Sequence, residues 1–136
     1  MKKIILFAAL MMTASLPAFA GKAEREYMKD TVMPAVKAAE TAYKSSCGCA
    51  LKIVVGPTLK TTDDMSQARN IANAVAEGVA GYCTDDASKK AVCQMKTLDI
   101  SKGKESTFSF KSGRGSAVTD GQSSVSWDMI TRELDK

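Results

Sequence analysis

The sequence contains no histidine, only 3 prolines, one tryptophan and 6% aromatic residues. The missing histidine excludes most. Ser-His-Asp and Cys-His nucleophilic systems, His-ligated zinc and the commonest general base near neutral pH all need an imidazole. G-x-S-x-G, Walker A, G-x-G-x-x-G and EF-hand patterns are absent as well. One S-x-x-K match, Ser101-Lys102-Gly103-Lys104, sits in a turn context without the buried Lys that a Ser-Lys nucleophile requires. We therefore expect no catalytic residue, no cofactor and no metal.

What is present first is a leader. Met1-Lys2-Lys3 is a basic start, Ile4 to Met12 an unbroken apolar run, and Leu16-Pro17-Ala18-Phe19-Ala20 ends in an A-x-A pattern. That order predicts a cleaved secretory signal over residues 1–20, too short and wrongly flanked for a spanning helix. Residues 21–136 then form one domain of 116 residues, enough to bury roughly two-thirds of its unfolded surface. Two of the 19 basic residues, Lys2 and Lys3, leave with the signal, so 17 face 15 acidic ones and the net charge falls from +4 to +2. The basicity is partly an export signal, and nucleic acid is not an expected partner. No later stretch approaches 18 apolar residues, so the exported chain should not span a membrane. A periplasmic or secreted location is expected.

The pattern beyond the leader reads as helix, strand, helix, then a run of strands. Val32, Val36, Ala39 and Tyr43 recur at helical spacing within 22–44, where Pro34 should either kink the helix or mark its restart after Asp30/Thr31. Ala50 to Val55 is apolar and β-branched, closed by Gly56-Pro57, as an internal strand would be. Thr61 and Asp64 have capping-box spacing and open a helix over 63–83, striped by Ala68, Ile71, Ala72, Val75, Val79 and Tyr82. Gly78, Ala80 and Gly81 permit close approach near its end. From Gln94 the period becomes two. Thr97–Ile100 and Thr107–Phe110 read as a hairpin across Ser-Lys-Gly-Lys. Ser116–Thr119 and Ser123–Met129 read as a second hairpin across Asp120-Gly121. The expected fold is α+β: two main helices packed on one face of a mainly antiparallel sheet of four to five strands, disulfide-stapled.

Cys47, Cys49, Cys83 and Cys93 are the most informative group. An even number in an exported chain points to disulfides. Joining Cys47 to Cys49 would close a very tight loop. The two crossed pairings close loops of about 40 residues, worth roughly 4 kcal/mol each in the chain-entropy model. Sequence does not separate Cys47–Cys83 with Cys49–Cys93 from Cys47–Cys93 with Cys49–Cys83, and Cys47–Cys49 with Cys83–Cys93 stays open as the third pairing. The alternative is a thiol-redox or soft-metal-binding protein using Cys47-Gly48-Cys49. Its place after a helix C-terminus disfavours thiolate, and an oxidising compartment works against four free thiols.

Asp63-Asp64 and Asp85-Asp86 invite a paired-carboxylate reading, but both stand where helices should begin and read as caps. Glu40 and Glu77 are expected to be solvated. The segment Lys89–Arg114 holds seven basic residues against Asp99 and Glu105. Within it Arg114, between Gly113 and Gly115, should project from a flexible tip, with Lys102, Lys104 and Lys111 as companions at a partner-binding surface. The expected function is an exported, disulfide-stabilised protein-binding module, an inhibitor or immunity protein acting on an envelope enzyme or toxin.

Overall fold

Pro34 shapes the first helix without breaking it. The computed structural model describes residues 21–136, so the signal read at 1–20 lies outside the described residues. Helix α1 (Lys22–Tyr27) runs through a π-helical segment, Met28–Val32, directly into α2 (Met33–Cys47). The Met33 N–H bonds to the Met28 carbonyl, one residue further back than in an α-helix. Pro34 has no N–H to give to a carbonyl four residues earlier, and the wider turn ahead of it absorbs that loss. The helical segments run on consecutively through Pro34, with no restart at Asp30. Val32, Val36, Ala39 and Tyr43 form its buried stripe. Gly48, at φ 79°, closes α2 in the left-handed conformation, its N–H bonded to the Lys44 carbonyl at 2.9 Å.

Strand β1 (Lys52–Val55) leads to α3 (Thr62–Tyr82). The Thr61 side chain caps α3 by accepting from the Asp64 N–H at 3.1 Å, while the Asp64 carboxylate reaches back to the Thr61 N–H. Ala68, Ile71, Ala72, Val75 and Val79 are fully buried along one face of α3. Helix α4 (Asp86–Val92) follows, N-capped by Asp85, and then β2 (Thr97–Lys102), β3 (Thr107–Lys111), β4 (Arg114–Thr119) and α5 (Trp127–Leu134).

The fold is α+β, but its four-stranded sheet is mixed rather than mainly antiparallel. Its order is β1-β2-β4-β3, with β1 parallel to β2, β2 parallel to β4, and only β3–β4 antiparallel. The crossover through α3 and α4 is long enough to bring β2 back parallel to β1. The expected β2–β3 hairpin does not form, because β4 lies between those strands. The tight turn is at Ser112-Gly113, where φ is 51° and 82°, positive at both central residues as a type I′ turn requires. Asp120-Gly121 makes no hairpin. The Asp120 carboxylate accepts from the N–H groups of Gln122 and Ser123, both at 2.8 Å, and its pKa is lowered by those bonds. The expected strand over Ser123–Met129 is instead a loop and the start of α5, N-capped by Ser126. Helix α1 belongs to the helix read over 22–44, and the short helices α4 and α5 stand beside the two long ones.

Helix α5 locks onto α3 through its aromatic end. A Cβ on Gly78 would fall 2.2 Å from Trp127 Cγ, so only glycine lets the indole lie there. Trp127 meets Tyr82 edge-on, centroids 5.9 Å apart, and the Tyr82 hydroxyl donates to the Asp135 carboxylate at 2.7 Å. Gly81 has open space, so the close approach belongs to Gly78 alone of the pair. Gly78→Ala gains helix propensity but forces the indole out, and we expect a net loss of about 1 kcal/mol. Because Trp127 is the only tryptophan, its emission in urea unfolding reads both effects. A red-shifted native spectrum with a lower midpoint is expected, and an unchanged spectrum with a higher midpoint would contradict this packing.

Candidate binding surface

Alternation along the strands divides the sheet into two unlike faces. Ile53, Leu98, Ile100, Phe108, Gly115 and Ala117 are buried towards the helices. Gly115 is dictated by that face, since a Cβ there would lie 2.5 Å from Met95 Sδ and 3.0 Å from the Phe108 ring. The outward positions carry hydroxyls and charges. Lys52, Thr97, Arg114 and Lys111 fall in one cross-strand row, and Val54, Asp99, Ser116 and Ser109 in the next. Ser101, Val118 and Thr107 complete the face. With strands about 4.8 Å apart, the cations of the first row span about 14 Å. Arg114 Nη1 meets Asp99 Oδ2 at 2.5 Å, a solvent-exposed pair of small energetic worth. A shallow depression of about 440 Å³ opens between Ser109, Lys111, Ser112, Arg114 and Ser116.

Of the four basic residues expected at a partner surface, the structure brings together Arg114 and Lys111, which are register partners. Arg114 begins β4 and is held by Asp99, so it is no flexible tip. Lys102 lies five residues along β2 from Thr97, about 17 Å away, and its side chain turns to the helix side. There its ammonium meets Asp64 Oδ1 at 2.7 Å. Lys104 is exposed in the β2–β3 connection at that same far end.

Asp64 is therefore both cap and ion-pair partner, at 3% exposure. Burial pushes its pKa up, but the Lys102 bond and the N–H groups of Thr61 and Lys60 outweigh it and hold the carboxyl below its ordinary value. Gly121 crowds the pair, since a Cβ there would lie 2.5 Å from Asp64 Oδ1. The paired-carboxylate reading has no geometry behind it. Asp63-Asp64 and Asp85-Asp86 stand at opposite ends of α3, about 30 Å apart for 21 residues. Asp85 caps α4 by accepting from the Ser88 N–H at 2.8 Å, the chief cause of its lowered pKa.

The cysteines pair Cys47–Cys83 and Cys49–Cys93, and none is free among the described residues. Each sulfur of the Cys47-Gly48-Cys49 stretch is bonded to a distant partner. That arrangement provides neither a vicinal dithiol nor thiolate ligands, and the redox and soft-metal readings lose their chemistry.

Two polar roles, one buried and one half-buried, were missed from sequence. The Tyr43 hydroxyl, at the end of the buried stripe, reaches the carbonyls of Val92 and Met95, the latter at 3.0 Å, and burial pushes its pKa well above the ordinary value. Glu40 is not simply solvated: its Oε2 accepts from the Ile53 N–H at 2.9 Å. The stripe placed Tyr43 inside, but nothing in its spacing names the carbonyls it serves. With this geometry in hand, comparison yields no relative: the chain matches no family model, no curated protein and no solved structure.

The Asp64–Lys102 pair makes a prediction with a definite sign. A carboxyl depressed in the folded state stabilises above its unfolded pKa, about 3.9, and loses that stabilisation as pH falls through the folded value. Asp64→Asn keeps an acceptor for the cap but removes the charge, and should cost about 1–2 kcal/mol at neutral pH. Urea unfolding should show this gap closing below about pH 4. An equal gap at pH 7 and pH 3 would mean the ion pair contributes nothing.

Proposed function

We propose that this chain is a small exported, disulfide-stabilised binding module that docks on an acidic surface of another envelope protein, as an inhibitor or immunity protein would. The observation that carries this reading is the outer face of a mostly parallel sheet, which no element among the described residues covers. Sheets with parallel strands are ordinarily covered on both faces. Here one face is rich in Ser and Thr and crossed by Lys52, Arg114 and Lys111, with Asp99 as its single acid. Small hydroxyl side chains leave little relief, so a broad protein surface can approach, and the cation row favours carboxylates during encounter. The leader-like residues 1–20 and the two disulfides support a periplasmic or secreted location. No helix among the described residues is long and apolar enough to cross a membrane.

Capture from periplasmic extract on the immobilised protein tests the reading. A stoichiometric partner should be retained at low salt and lost progressively as salt rises. Arg114→Ala with Lys111→Ala should weaken binding about tenfold or more, the cost of one anchor residue. Lys104→Ala, at the far end of β2, should leave it unchanged. No partner under several growth conditions, or equal effects of the two sets of substitutions, would overturn the assignment.

A further inference from the structure

Strand β1 ends the sheet, and its outer edge is closed by a side chain rather than by another strand. Lys52 and Gly56 donate inward, to the carbonyls of Lys96 at 3.0 Å and Ile100 at 2.8 Å. The residues between them in the parallel ladder, Ile53 and Val55, therefore aim their N–H groups outward. Glu40 of α2 takes the first of these at 2.9 Å. An open groove of about 390 Å³ runs beside it, lined by Lys37, Glu40, Thr41, Lys44, Ala50 and Leu51. Lys37 and Lys44 lie one helical turn to either side of the carboxylate on the same face. On the same strand Val54, 38% exposed, is the large hydrophobic residue that stands out to solvent among the described residues.

We propose that the edge of β1 is a strand-addition site that takes an extended acidic segment of a partner protein, whose backbone displaces the Glu40 carboxylate. The incoming carbonyl accepts from Ile53, and the next outward donor is Val55. Alternating side chains then place an apolar residue beside Val54 on the outer face and acidic residues towards Lys37 and Lys44. Charge selects this occupant over a second copy of the chain. A second β1 would bring a lysine, Lys52, and no acid to an edge already flanked by Lys37 and Lys44, which charge disfavours. Glu40 acts as a displaceable guard, giving the edge N–H an internal acceptor that suppresses indiscriminate pairing. The site lies on the strand edge and does not require the Arg114 row to bind anything.

The test is a titration of isotope-labelled protein with a synthetic peptide of about ten residues alternating valine and glutamate, long enough for one added strand. Amide shifts and slowed exchange should centre on Ile53 and Val55. Glu40→Ala should bind the peptide about tenfold more tightly, because it removes a competing charge-assisted acceptor, and Glu40→Gln should fall between. Should Glu40→Ala fail to fold, Lys37→Glu with Lys44→Glu reads the same site and should weaken binding about tenfold. Four outcomes overturn the proposal: shifts centred on residues 109–116 with Ile53 unmoved; equal binding of a valine–lysine peptide; no binding to any variant; or concentration-dependent self-association of Glu40→Ala without peptide binding, which would make a second copy the occupant.

Discussion

The structure depends on one tripeptide. Cys47 is the last residue of α2 and bonds to Cys83 just beyond α3, while Cys49, two residues on, bonds to Cys93 just beyond α4. Gly48 between them supplies the left-handed turn that sends successive side chains to different partners. Three helix ends are thereby gathered at one corner, immediately before the chain enters β1. Bringing the C-termini of α2 and α3 within 5.3 Å of each other, Cα to Cα, means that both long helices finish at the same end of the sheet. The loops closed span 36 and 44 residues, so each bond removes a large share of the freedom of the unfolded chain, worth about 4 kcal/mol in the entropic picture. Tyr43 reinforces the same corner by engaging the carbonyls of Val92 and Met95.

With the helices pinned on one side, no element among the described residues covers the other side of the sheet. Core formation is completed by the helix-facing residues of β1, β2 and β4, and the outward residues are released from packing. The Lys52–Arg114–Lys111 row and the Ile53 N–H bonded to Glu40 are then adjacent features, one on the outward face and one at its border. At the opposite end, Lys102 and Asp64 neutralise each other where α3 meets β2. The polar chemistry of the molecule is thus divided: at one end a cation and a carboxylate are paired, and at the other the cations face solvent.

Sequence patterns revealed the two long helices, the cap at Thr61 and Asp64, and the α+β class, because these are set by local spacing and by which side chains face inward. Strand order was not legible. Thr97–Ile100 and Thr107–Phe110 look like hairpin partners, and nothing local reveals that β4 inserts between them. Asp120-Gly121 carries a stronger turn signature than Ser112-Gly113, yet its carboxylate spends itself on a local Asx turn. Val125, Trp127 and Met129 alternate as a strand would, but Trp127, Ile130 and Leu134 also fit a helix, and Ser126 as cap decides for the latter. On the outward sheet face, Arg114 and Lys111 were legible as a basic cluster. The removal of Lys102 was not, since its partner Asp64 is 38 residues away. Glu40 was hidden for the same reason: the edge it serves exists only once β1 occupies the end of the sheet.

The corner at Cys47-Gly48-Cys49 can be tested directly by substituting one distal cysteine. In protein purified from an oxidising compartment without reductant, Cys93→Ser should leave a single thiol, and alkylation followed by fragmentation should place the label on Cys49. Label on Cys47 would mean the opposite crossing, and label on Cys83 would mean that Cys47 and Cys49 are bonded to each other. Either result would contradict the arrangement of helices on which the open sheet face rests.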